Sequence, residues 1–252
     1  MRLEAGATSF RSQSPGRLFM QSRPARVPRP DLATPDGGFT VLAGDTCYRI
    51  AAVHRLQPFL ISLASDTDLW MFVTSGGGLT AGRVDPGGAI FPYRTIDQLH
   101  DAHHHTGPLT LVRPNDGDHA GSIWQPFGTE QAEHPAAERN LLKNTLGNRL
   151  VFEEINHDLQ LVFRYRWAGC DEFGWVRTAT LENRGSKPVS VDVLDGLRNV
   201  LPWGAPLRLY QQSSNLVDAY KKNEVDPDTG LGMFSLTAGI TDRAESLAKA
   251  VD

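Results

Sequence analysis

The stretch from Leu159 to Trp167 constrains the fold of this chain more than any other. Leu159, Leu161, Phe163, Tyr165 and Trp167 alternate with Gln160, Val162, Arg164 and Arg166. Side chains two apart share one face of a strand, so the segment reads as a strand with one apolar face. Arg149–Asn156 precedes it, with a polar turn at His157-Asp158, and the pair reads as a hairpin. Trp175–Asn183 alternates again and ends at the turn Asn183-Arg184-Gly185-Ser186. Pro188–Leu194 then resumes with Val189, Val191 and Val193 on one side. Strands at this spacing, linked by turns, predict a mainly β chain built as a large antiparallel β-sandwich.

Further strands are expected upstream at Phe39–Leu42, Cys47–Ile50, Pro58–Leu63 and Leu69–Thr74. Others follow at Ala89–Tyr93, Leu109–Arg113 and Ser122–Trp124, with a late one at Gly232–Ile240. The 24 glycines and 16 prolines suit many turns rather than long helices. Thr129–Asn148 reads differently, with a short helix expected near Ala136–Lys143 and a loop or strand entry as the alternative. Ala244–Val251 reads as a helical turn or a frayed end.

Residues 1–38 are predicted to be a disordered leader. They carry Arg2, Arg11, Arg17, Arg23, Arg26 and Arg29 against Glu4, Asp31 and Asp36, and five prolines break any regular element. A basic arm for an anionic partner, or a transit peptide, is the alternative. Residues 39–252 form the expected β-sandwich domain. A net charge of −4 supplies no global basic field for nucleic acid. The apolar runs fall short of the roughly 20 residues that cross a bilayer. No export signal opens the chain, so a cytoplasmic location is the default expectation. Cys47 and Cys170 stand far apart and read as free thiols, with a disulfide as the alternative.

Three groups of residues carry a resemblance. They are Tyr165-Arg166-Trp167, the run Asp171-Glu172-Phe173-Gly174-Trp175-Val176-Arg177, and Leu181-Glu182-Asn183 followed by Pro188-Val189-Ser190-Val191. Together they resemble the N-terminal sandwich of glycoside phosphorylases and related glycoside hydrolases, cellobiose phosphorylase among them. Leu79–Arg83, Phe91-Pro92-Tyr93 and Asp195–Pro202 are similar to stretches in large bacterial proteins of this kind. The resemblance implies a galactose mutarotase-like supersandwich and a carbohydrate partner. In such proteins catalysis belongs to a downstream helical barrel. The chain stops at Asp252, before a barrel could begin, which points to a fragment or shortened homologue. The barrel would then be a partner on a longer or separate chain, and a second copy of the chain is a further expected partner. The expected role is that of a non-catalytic, carbohydrate-associated domain. A mutarotase-like epimerase, with His157 and Glu153 as acid and base, and a purely structural interaction protein are the alternatives.

The sugar-binding candidates are Arg83, Tyr93, Arg94, Asp97, Arg198 and Trp203. Aromatic planes stack on the C–H face of a sugar while charged groups take its hydroxyls. Arg83 in a structural ion pair and Trp203 at a sheet edge are the competing readings. His103-His104-His105, with His100 and Asp101, invites a metal. Consecutive residues rarely converge on one ion, so a solvated loop is expected and no metal or cofactor is assigned. Asp171, Glu172, Asp195, Glu153 and Glu154 are the carboxylates available for glycoside hydrolysis. Neighbours on a strand point to opposite faces, so neither Glu153-Glu154 nor Asp171-Glu172 makes a good pair, and no catalytic residue is assigned. Ser75-Gly76-Gly77-Gly78 lacks the Gly-Lys-Ser/Thr ending of a phosphate loop and reads as a tight turn.

Overall fold

The computed structural model describes residues 34–128, 137–201, 207–230 and 232–236. It is mainly β, built from several antiparallel sheets that do not close into a barrel. The largest sheet has six strands. It runs from β1 (Asp36–Leu42) and β2 (Asp45–Ala51) across to β8 (Ala137–Asn144), β9 (Arg149–Asn156), β10 (Leu161–Cys170) and β11 (Gly174–Asn183), in that order. A four-stranded sheet follows chain order through β3 (Leu60–Leu63), β4 (Leu69–Thr74), β5 (Leu79–Arg83) and β6 (Ala89–Phe91). Two further pairs are β7 (Gly107–Pro114) with β12 (Val191–Arg198), and β13 (Lys221–Val225) with β14 (Gly232–Leu236). The helices are α1 (Ile96–Leu99) and α2 (Leu207–Tyr220), the latter interrupted at Ser213.

The expected hairpin is β9–β10, with Asn156 opposite Leu161 and Leu150 opposite Trp167. Leu161, Phe163, Tyr165 and Trp167 are all buried. They share one hydrophobic cluster with Ile61, Met71, Val73, Leu79 and Phe91 of the four-stranded sheet. Burying each such side chain contributes about 1.5–3 kcal/mol, so this cluster is the main source of cohesion. Opposite β10, strand β11 runs from Gly174 to Asn183 as its alternation predicts.

Several expectations are corrected. Ala137–Asn144 is a strand, where a helix was the first expectation for Ala136–Lys143. Strand β8 lies between β2 and β9, so both its edges are hydrogen-bonded. Leu141 enters the main core and Leu142 packs in a smaller cluster with Cys47 and Val151. The adjacent Leu141 and Leu142 face opposite sides among mostly polar neighbours, so the strand shows no alternation, and sheet pairing outweighs the helix propensity of Glu, Leu and Lys. At Ser122–Trp124 the expected strand reduces to one bridge between Trp124 and Val112. Strand β12 starts at Val191 rather than Pro188 and continues to Arg198. Strand β1 begins at Asp36, within the stretch read as leader. The rest of that leader up to residue 33 lies outside the described residues, as do residues 237–240 and the stretch Ala244–Val251. Both cysteines are free. No described helix is long and apolar enough to cross a membrane.

Candidate functional site

A cavity of about 260 Å³ opens where several distant parts of the chain meet. The β4–β5 turn brings Gly76 and Gly77, a short 3-10 turn brings His103 and His104, β7 brings Thr110, and β12 brings Arg198. Tyr165 and Phe127 are its aromatic walls. A second cavity of about 190 Å³ shares Gly76, His103 and Phe127 with the first and adds His54 and Arg139.

The aromatic wall is built from β9 and β10. Tyr165 stacks on Phe152, with centroids 4.7 Å apart and planes at 11°. Phe127 meets Tyr165 edge-on at 5.2 Å and 83°. The Arg177 guanidinium sits 5.1 Å from the Tyr165 ring centroid, a cation over an aromatic face. Burial pushes the Tyr165 phenol far above its ordinary range, so the hydroxyl is a neutral donor and acceptor.

Phe127 holds an uncommon backbone, with φ 62° in the left-handed region. Glu154 accounts for its persistence. This fully buried carboxylate accepts from Trp124 Nε1 at 2.7 Å, Phe127 N at 2.6 Å and Arg139 Nε at 2.8 Å. Arg139 also donates to the Gly128 carbonyl. One side chain of β9 therefore ties the connection after β7 onto the sheet, and buried charge is matched at every contact.

Asp195 is engaged in the same manner. It receives Arg177 Nη1 at 2.7 Å and Nη2 at 2.8 Å, and the Thr110 hydroxyl at 2.6 Å. Burial alone would raise its pKa, but the hydrogen bonds from Arg177 and Thr110, with the Arg177 charge, hold it below the usual carboxylate range. Glu153 occupies the opposite face of β9 from Glu154 and pairs with Arg164 at 2.6 Å. Asp171 and Glu172 lie exposed in the turn between β10 and β11.

Among the described residues, Arg198 is the one sugar-binding candidate that borders the cavity. Its guanidinium donates to the carbonyls of His104 and His103, each at 2.8 Å, and to that of Pro108 at 3.4 Å. The other candidates lie elsewhere. Arg83 forms an ion pair with Asp68 at 2.8 Å, the structural role weighed against ligand binding. Tyr93 packs edge-on against Trp70 at 6.0 Å. Arg94 is half-buried and Asp97 is exposed on α1, where the Thr95 hydroxyl holds its pKa down. Trp203 lies outside the described residues.

Among the described residues no group of three or more His, Cys, Asp or Glu is placed to hold an ion. His103 Nδ1 lies 2.9 Å from the His100 carbonyl, and its ring stacks on His104 at 4.0 Å. Burial holds the His103 pKa below its ordinary value, with the His104 and Arg139 charges adding to the effect and the His100 hydrogen bond and Asp101 charge opposing it. His104 and His105 are exposed, as expected of a solvated loop, and His103 is half-buried; His103 and His104 also border the cavity, where Arg198 holds the carbonyls of their turn. Ser75–Gly78 is a tight turn, closed by Thr74 N to Gly78 O at 2.7 Å and Gly77 N to Thr74 O at 2.8 Å. A Cβ on Gly77 would lie 3.3 Å from the Tyr165 hydroxyl. Sequence reasoning passed over Tyr165 as a site residue. Its one signal was a hydroxyl in an otherwise apolar stripe, since a buried tyrosine needs somewhere to place that group.

No protein-family model matches this chain, and no curated protein matches it.

Proposed function

We propose that the chain is a non-catalytic carbohydrate-binding domain, a β-sandwich of the galactose mutarotase-like kind whose two larger sheets enclose the main core. The observation that carries the reading is the cavity itself. Two aromatic rings, Tyr165 and Phe127, border it together with Thr110, His103 and Arg198. That combination suits a sugar, which offers a C–H face to an aromatic ring and hydroxyls to polar groups. The nearby carboxylates support a binding role rather than glycoside cleavage. Glu154 and Asp195 are each committed to an arginine, whereas cleavage requires an acid and a base or nucleophile aimed at one bond. On this reading a catalytic barrel acts as the partner domain.

Titration calorimetry with glucose and cellobiose tests it. We expect saturable binding, no hydrolysis or phosphorolysis, and affinity about fivefold weaker in Tyr165→Phe, in line with one lost hydrogen bond. Turnover of either sugar by the purified chain, or the absence of binding, would reject the reading.

A further inference from the structure

Among the described residues, the two cavities that share Gly76, His103 and Phe127 are lined by basic side chains and by no carboxylate. Arg198, His103 and His104 border the larger, and His54, His103 and Arg139 the smaller. Among the described residues the carboxylates bonded beside the cavities are already matched, Glu154 with Arg139 and Asp195 with Arg177, while the exposed Asp101 acts on His103. These two pairs cancel, and the charge on Arg198 remains.

Among the described residues Arg198 bonds only to the neutral carbonyl oxygens of His103, His104 and Pro108, and its buried Nε has no partner. A guanidinium carries five N–H donors and does not shed its proton in a protein. Half-buried beside a cavity and without a counter-charge among the described residues, it favours an oxyanion brought in from solution. Burial alone pushes its pKa down, as expected of a cation that has lost water and gained no anion. The His103–His104 stack lies on the same wall, with ring centroids 4.0 Å apart.

We propose that the ligand of this cleft is an anionic sugar, a monosaccharide whose phosphate ester or carboxylate lies against Arg198 and the His103–His104 pair while its ring covers Tyr165 and Phe127. The proposal rests on the carbohydrate-binding reading and names its ligand class. The shared chemistry is an oxyanion on a sugar ring, and the two sources are separable by experiment.

The full chain is titrated with glucose, glucose 6-phosphate, glucuronate and inorganic phosphate, and the wild type is compared with Arg198→Gln. At least one charged sugar should bind about tenfold or more tighter than glucose, and the variant should reduce that advantage to less than about threefold. The tighter of the two charged sugars identifies the anion. Equal affinity for glucose and both charged sugars would overturn the anionic ligand and leave the carbohydrate reading standing. Phosphate binding as tightly as glucose 6-phosphate, with glucose unbound, would remove the sugar from the proposal and reject the carbohydrate reading with it. No binding of any of the four overturns both. Should Arg198→Gln fail to fold, histidine-ring NMR on the wild type decides. The charged sugar must shift the His103 and His104 signals more than glucose does, and equal or absent shifts overturn the proposal.

Discussion

Glu154 shows how much one side chain can organise. It is wholly buried, it faces Arg139 across the β8–β9 ladder, and it holds Trp124 and the strained Phe127 in place. Glu154→Gln keeps the shape but leaves Arg139 without its counter-charge, which costs about 3 kcal/mol. Urea denaturation should show that loss as a lowered midpoint with little change in slope. Asp195 supplies a pH signature. Its folded pKa lies below the unfolded value, so its contribution is complete above about pH 4 and is lost as pH falls through the folded pKa. Stability measured from pH 5 to pH 2 should therefore fall less steeply in Asp195→Asn than in the wild type. The separation of Glu153 from Glu154 was legible in the sequence, because alternation alone sends neighbours to opposite faces. What each would meet there was not, since Arg164 and Arg139 arrive from different strands. Arg198 was legible as a candidate from its chemistry. The carbonyls it grips are about 90 residues away and left no local trace.

Among the elements, the β4–β5 turn is the tightest piece of construction. A Cβ on Gly78 would lie 2.0 Å from the Leu99 carbonyl oxygen, a backbone atom that cannot step aside cheaply. Gly78→Ala should destabilise by about 3 kcal/mol, near the upper end for overpacking, and a thermal melt would show it. Strand β12 carries a different liability. Among the described residues it pairs only with β7, and Val193, Leu194 and Leu197 are exposed along it. An apolar edge of this kind invites pairing with another chain. Leu194→Lys should reduce concentration-dependent association in sedimentation velocity while leaving circular dichroism unchanged. The contrast between β10 and β8 explains which elements could be read in advance. Strand β10 declares itself because its two faces differ in polarity along most of its length. Strand β8 is buried on both faces and looks helical by composition, and only its two neighbours make it a strand.

The whole molecule joins hairpins of consecutive strands through pairings between distant ones, β2 with β8 and β7 with β12. Cys47 on β2 lies opposite Asn144 on β8, and Thr110 on β7 lies opposite Asp195 on β12. The cavity inherits this arrangement, drawing Gly76, His103, Thr110, Phe127, Tyr165 and Arg198 to one place. That convergence is why its members were visible only singly in the sequence. The order of strands also matters during synthesis. When Leu79–Arg83 leaves the ribosome, the four-stranded sheet can begin to pair, but the rings destined to cover it, Phe152 to Trp167, have not yet been translated. At about 5–20 residues per second, the nascent chain spends several seconds with that apolar surface bare. During that interval its protection must come from the cell rather than from its own sequence.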